Sequence, residues 1–151
     1  MFSIIKQTLI TAKEDLSNDA KQIEKEFWDH HHEINNRLGW SEKGKIGLRV
    51  RIRERGEIPS LDIEWFKMYF IKDKAGKYTM RSTYIRKGKG SAYSIKSFKK
   101  IAKNWEIPII EETERKLSLI RECSINIGKL SVVHGYLTKS HKKYQEAMNA
   151  Q

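Results

Sequence analysis

Three arginines at alternate positions, Arg49, Arg51 and Arg53, are the side chains best placed to do chemistry, and that chemistry is anion binding. In a strand, alternate residues share a face about 6.6 Å apart, close to the spacing of successive phosphates on one nucleic-acid strand. A guanidinium presents a fixed fork of donors that grips a phosphate or a guanine edge at two points, which an ammonium cannot do. Arg55 extends the row if the strand runs that far. Lys72, Lys74 and Lys77 at the next turn, Arg86, Lys87 and Lys89 in a glycine loop, and Lys96, Lys99, Lys100 and Lys103 on a helix are candidates to continue the same face. The competing reading is an ordinary solvent face, or pairing with cross-strand acids. Between Lys43 and Lys103, however, eighteen Lys and Arg stand against five acids, so there are too few carboxylates to pair them. The chain carries +11 overall, which leaves the flanks together slightly negative. Charge sorted in this way suits a polyanion-docking surface.

Other constellations carry less. His30-His31-His32, with Glu26 and Glu33 nearby, invites a metal, but successive helical side chains point about 100° apart and cannot converge on one ion. His31 lies on the apolar stripe and reads as a core or interface histidine; a metal would need His134 or His141 as a further ligand. Asp62 and Glu64 share a strand face as magnesium-dependent nucleases require, yet Lys67 is one residue too far along and falls on the opposite face. Tyr84 and Tyr93 read as packing or stacking residues rather than nucleophiles. The loop from Gly88 to Ser91 lacks the order of a P-loop, which leaves it the part of a backbone clamp on nucleic acid. No catalytic residue, cofactor or metal is assigned, and the expectation is a protein that is not an enzyme.

The elements that position these residues follow from periodicity. Ile5, Leu16, Phe27 and Leu38 recur every eleven residues, as do Leu9, Ala20 and His31, and Ala12, Ile23 and Ile34. That period makes a nearly straight apolar stripe on a helix over 3–38, with Lys13, Glu14, Lys21, Glu24 and Lys25 opposite and Gly39 as C-cap. From Ile46 the period becomes two: Ile46, Leu48, Val50 and Ile52 alternate with Gly47 and the three arginines. Residues 61–72 form a second, central strand, expected to be covered on both faces over its second half because aromatics occupy both. Asp73 to Gly76 is a turn, and Tyr78 to Arg86 returns as a third, antiparallel strand. Ile95, Phe98, Ile101, Ala102 and Trp105 have helix spacing. Pro108 suits the first turn of the next helix, with Glu111, Glu112 and Glu114 where the dipole favours acid. Its two apolar rows, Leu117, Ile120 and Ile127 and then Leu119, Cys123, Leu130, Val133 and Leu137, predict burial around much of the helix. Ser124, Gly128, Ser131 and Gly135 form a flank that another backbone can approach, and Gly135 ends or kinks the helix before a last one near Leu137–Met148.

The expected fold is α+β: a long N-terminal helix, a three-stranded antiparallel sheet, then C-terminal helices packed on it. One nucleic-acid-binding domain spans 1–151, with helix in 1–40, basic sheet in 45–90 and helices in 94–149. The lone Cys123 excludes an internal disulfide framework and a cysteine zinc site. Lys6 interrupts the apolar start, so no signal peptide is read, and no run approaches the roughly 18 apolar residues of a membrane span. The expectation is a soluble cytoplasmic protein with no membrane partner.

The run Pro59-Ser60-Leu61-Asp62-Ile63-Glu64-Trp65, then Tyr84-Ile85-Arg86-Lys87-Gly88, Tyr93 and Ala102-Lys103-Asn104-Trp105-Glu106, resembles the MobI family of conjugative transfer proteins over about residues 45–135. The resemblance implies a non-enzymatic auxiliary factor that binds at the origin of transfer and helps the relaxase start DNA processing. It brings no active-site residues with it. The reading is therefore a DNA-binding accessory protein, on duplex DNA, with the relaxase or other transfer proteins as partners and the long helices as a homodimer surface. The alternatives are an RNA-binding module or a protein-interaction adaptor.

Overall fold

The computed structural model describes residues 1–150 as two long helices against one face of a small antiparallel sheet. Helix α1 spans Phe2–Asn35 and α3 spans Glu106–Asn149. They run antiparallel. Phe2 meets His134 and His141 at one end, Lys13 reaches Ser124 midway, and His31 meets Glu106 at the other end. Strands β1 (Ile46–Arg53), β2 (Ser60–Lys72) and β3 (Tyr78–Tyr84) follow in spatial order, so β2 is central as expected. A short helix α2, Ile95–Lys99, completes the α+β plan.

The register places Leu48 opposite Trp65 and Val50 opposite Ile63, so these four share one face. There they bury against Phe27 of α1, Phe98 of α2 and Ile110 and Leu117 of α3. Trp65 is the hub: Phe27 and Phe98 meet it edge-on at 5.1 and 5.4 Å, and its indole N–H donates to Glu114 at 2.7 Å. Buried aromatic pairs of this kind add about 1 kcal/mol each beyond their area.

Several expectations are corrected. Helix α1 ends at Asn35 with Asn36 as its C-cap, and Gly39, in an extended conformation, opens a single 3-10 turn, Trp40–Glu42, instead of capping α1. The stripe holds at Leu9, Ala20, Phe27 and His31, but Lys13 and Ser17 are buried with it. Lys13 sits between the helices because its ammonium donates to Ser124, and burial, partly offset by the attraction of Asp62, lowers its pKa. Helix α2 stops at Lys99, since the Glu106 carboxylate takes the Lys103 N–H and pulls that backbone out of the helix. Helix α3 runs through Gly135 unbroken. Of its two apolar rows only Leu117, Ile120 and Ile127 are buried; Leu119, Leu130, Val133 and Leu137 face outward because α1 and the sheet both pack on the first row. Open space surrounds Gly128 and Gly135, so no backbone approaches there.

Strand β2 shows the largest departure. Its second half is open on both faces, with Tyr69, Phe70 and Ile71 all exposed. Helices α1 and α3 underlie β1 and the first half of β2 only, and the remaining rungs run past them with β3.

Candidate nucleic-acid interface

Antiparallel register decides which side chains share the outer face of the sheet. Gly47, Arg49, Arg51 and Arg53 lie there opposite Phe66, Glu64, Asp62 and Ser60. The arginine row therefore forms as the alternation predicts, and no helix covers it. Its members differ in what they touch. Arg53 is ion-paired with Asp62, Nε to Oδ2 at 2.7 Å. Arg49 donates to the Tyr84 hydroxyl at 2.6 Å, with its guanidinium 4.8 Å from the centre of the Phe66 ring and 5.7 Å from that of Tyr84. Those contacts hold its stem flat on the sheet with the charge at the surface. Phe66 in turn folds over Gly47, where any Cβ would strike its ring. Arg51 stands in register with Asp62 without an ion pair to it. Arg55 does not extend the row. The strand ends at Arg53, and Arg55 turns into a cleft of about 680 Å³ shared with Lys6, Glu57, His134 and Lys139.

Lys72, Lys74 and Lys77 stand exposed at the tip of the β2–β3 hairpin. Asp73 spends its carboxylate on that turn, accepting the Lys77 N–H at 2.8 Å, while Gly76 takes the positive φ of +83° the turn needs. The Lys72 ammonium lies 5.8 Å from the Tyr78 ring centre. Arg86 and Lys89 are exposed, and Lys87 folds back onto the Gly90 carbonyl. Lys96, Lys99 and Lys100 are exposed and Lys103 half-buried. These four belong to the helix layer, since Phe98 of α2 packs on Trp65 from that side. Lys72 shares the sheet face of the arginine row but stands eight residues beyond Glu64, the partner of Arg49, so about 26 Å of ribbon separates the row from the hairpin tip, whereas Lys96, Lys99, Lys100 and Lys103 lie across the sheet from the row.

One property unites the segment. Among the described residues, Arg53 is the only Lys or Arg between Lys43 and Lys103 in an ion pair with a carboxylate. Pairing elsewhere is within the helices or between elements: Lys25 with Asp29, Arg37 with Glu33, Arg121 with Glu114.

The sheet is locked to the helices by side chains that the sequence did not single out. Along the free edge of β1, Glu106 accepts the Ile46 N–H, Trp28 donates to the Leu48 carbonyl, Glu24 accepts the Val50 N–H and Lys21 donates to the Val50 carbonyl. On the other side of β2, Arg121 donates to the Ile63 carbonyl and the Ile85 N–H to that of Trp65. Such caps blunt edges that would otherwise recruit another strand. Arg121 also grips Glu114 through both guanidinium nitrogens, at 2.6 and 3.2 Å, in a buried cluster with Trp65 and Tyr93. Glu106 is fully buried and collects four donors: His31, Lys45 N–H and Ile46 N–H on one oxygen, Lys103 N–H on the other. Burial alone would raise its pKa, but the hydrogen bonds from His31, Ile46, Lys103 and Lys45 outweigh it and the net shift is downward. No residue spacing announced either cluster.

The remaining chemical candidates disperse. His31 is buried against Glu106 while His30 and His32 are exposed, and His134 and His141 lie at the far end of α1 beside Phe2. Asp62 serves Arg53, and Lys67 sits opposite Ile46 on the other face. Tyr93 is buried, its pKa raised by that burial against smaller opposing effects of a backbone hydrogen bond at Trp65 and the Arg121 charge. Helix α2, with five residues, makes no anion-binding terminus after the glycine loop.

Residues 16–133 match the family described as MobI protein. The chain belongs to the MobI family. The match takes in most of α1, the whole sheet and the greater part of α3, so the basic surface and both buried carboxylate clusters lie within it. MobI membership makes this a mobilisation-related protein. No curated protein and no solved structure matches the chain. No helix among the described residues is long and apolar enough to cross a membrane.

Proposed function

We propose that this MobI protein is a non-enzymatic accessory factor that binds duplex DNA at the origin of transfer and assists the relaxase. The observation that carries the reading is the unpaired positive charge of the sheet segment, where seventeen of eighteen bases have no carboxylate partner among the described residues. Charge left without internal partners lowers stability through self-repulsion, and an external polyanion relieves that cost. Arg49 and Arg51 contact phosphates from the outer face of β1, the hairpin lysines and Arg86 and Lys89 widen the footprint, and Arg53 orients Asp62. Lys96 and Lys99 of α2, with Lys100 and Lys103 just beyond it, meet a strand that wraps past the sheet edge. The outward row of α3, Leu119, Leu130, Val133 and Leu137, serves a second copy or a transfer protein.

Electrophoretic shift of an origin-of-transfer duplex across a salt series tests the reading. Wild-type affinity should fall steeply with salt, and Arg49→Ala/Arg51→Ala should lower the log–log slope by roughly two while the melting temperature holds. Binding of equal strength at low and high salt, or no binding to duplex at all, would sink the assignment.

A further inference from the structure

The β2–β3 hairpin is built unlike the rest of the sheet. Seven residue pairs, from Phe66 with Tyr84 to Lys72 with Tyr78, form a two-stranded ribbon, about 23 Å long at about 3.3 Å per residue. The ribbon runs past both long helices. Tyr69 and Ile71 on one face, and Phe70, Tyr78, Met80 and Tyr84 on the other, are all 40–59% exposed. The edges of β1 and of the first half of β2 are capped by buried or half-buried side chains, whereas past Met68 the edges of the ribbon carry no such cap among the described residues. Isolated two-stranded ribbons are marginal in water; Trp40 meets Phe70 at 5.3 Å, yet the aromatics of both faces stay about half exposed, so the projecting ribbon is poised to lie against something.

Its charge selects the occupant. From Lys67 to Tyr84 there are five bases and one acid, and the acid, Asp73, is committed to the turn. No base of the ribbon is ion-paired among the described residues. The partner is therefore a polyanion rather than an apolar protein surface. Shape narrows it further. A two-stranded ribbon fits the major groove of B-DNA (about 12 Å wide), whereas the minor groove (about 6 Å) is too narrow for it. Met80, Ser82 and Tyr84 lie on the same face as Arg49 and Arg51, so a duplex lying on that row has a groove next to the ribbon.

We propose that the β2–β3 ribbon enters the major groove of duplex DNA, its tip lysines Lys72, Lys74 and Lys77 straddling the groove walls and its outward Met80, Ser82 and Tyr84 meeting base edges. This rests on the DNA-binding reading above and adds the groove and the reading element. It assigns the arginine row to the phosphate backbone and leaves base discrimination to the ribbon.

The test uses a 40-base-pair duplex of mixed sequence and its twin in which every cytosine carries a glucosylated 5-hydroxymethyl group, which fills the major groove. Full-length protein is titrated against both by fluorescence anisotropy, with and without the minor-groove ligand netropsin. Wild type should bind the glucosylated duplex at least tenfold more weakly and be indifferent to netropsin. Lys72→Ala/Lys74→Ala/Lys77→Ala, all exposed and expected to fold, should weaken binding to the plain duplex and bring the ratio between the two duplexes toward one. Arg51→Ala, which leaves the contact of Arg49 with Tyr84 in place, should weaken both duplexes alike and keep the ratio. Equal wild-type affinity for the two duplexes, or netropsin competition, overturns the ribbon proposal while leaving duplex binding standing. A triple variant that binds plain duplex normally yet loses mobilisation also overturns it, and gives the ribbon to a protein partner. Failure of wild type to bind either duplex removes both proposals.

Discussion

Replacing Glu106 with Gln probes the junction that holds α1, β1 and α3 together. The carboxylate is fully buried and accepts four hydrogen bonds, three on Oε1 and one on Oε2. Each hydrogen bond to a buried charged group contributes about 1.5–3 kcal/mol, and neutral ones about half that. A glutamine whose carbonyl takes the Oε1 place keeps three donors at reduced strength and turns its NH₂ toward the Lys103 N–H, losing the fourth bond. The expected loss is about 4–7 kcal/mol, a large share of the roughly 5–15 kcal/mol that holds a typical native protein. Urea unfolding followed by tryptophan fluorescence measures it directly, with an unchanged m-value showing that the same surface unfolds. The sign with pH is fixed as well. The folded carboxyl titrates below its ordinary 4.5, so the charged form's contribution is complete above pH 4.5 and drains away as the pH falls through the lower folded value. The gap between wild type and Glu106→Gln should therefore narrow as the pH falls below 4.5. A variant within about 1 kcal/mol of wild type at pH 7, or a gap that ignores pH down to 3, would refute the reasoning.

Two further outcomes follow from packing. Arg121→Met strips the partner from buried Glu114 and uncaps the Ile63 and Ser91 carbonyls, so chemical denaturation should report a loss of about 3–5 kcal/mol, with Glu114→Gln in the same chain recovering part of it. Gly128→Ala and Gly135→Ala sit mid-helix in open space and should each raise stability by about 0.5–1 kcal/mol by thermal melting; a loss would mean that the helix bends or that a neighbour packs there.

Local periodicity was enough for the elements and for the direction of the arginines. A period of two between Ile46 and Arg53 sets the three guanidinium groups on one face whatever the strand packs on, and the count of acids in that segment forecast how few of them would be neutralised. The central place of β2 and the first-turn position of Pro108 were likewise written in short-range pattern. Family membership was legible from short runs around β2, the glycine loop and the start of α3.

Tertiary structure decided what the charged and aromatic residues do once those elements meet. Lys13, Lys21 and Glu24 read as solvent residues on a helical wheel, but Lys13 reaches Ser124 of the neighbouring helix, and a helix laid along a sheet edge lets the long side chains of Lys21 and Glu24 reach the unpaired backbone groups of Val50. The outer apolar row of α3 and the aromatics of β2 looked like core because composition reports hydrophobicity, and nothing local states where a covering helix ends. The hairpin runs on past α1 and α3, so Tyr69, Phe70 and Ile71 stay in solvent. Burial is a property of two surfaces, and a single stretch of chain encodes only one of them.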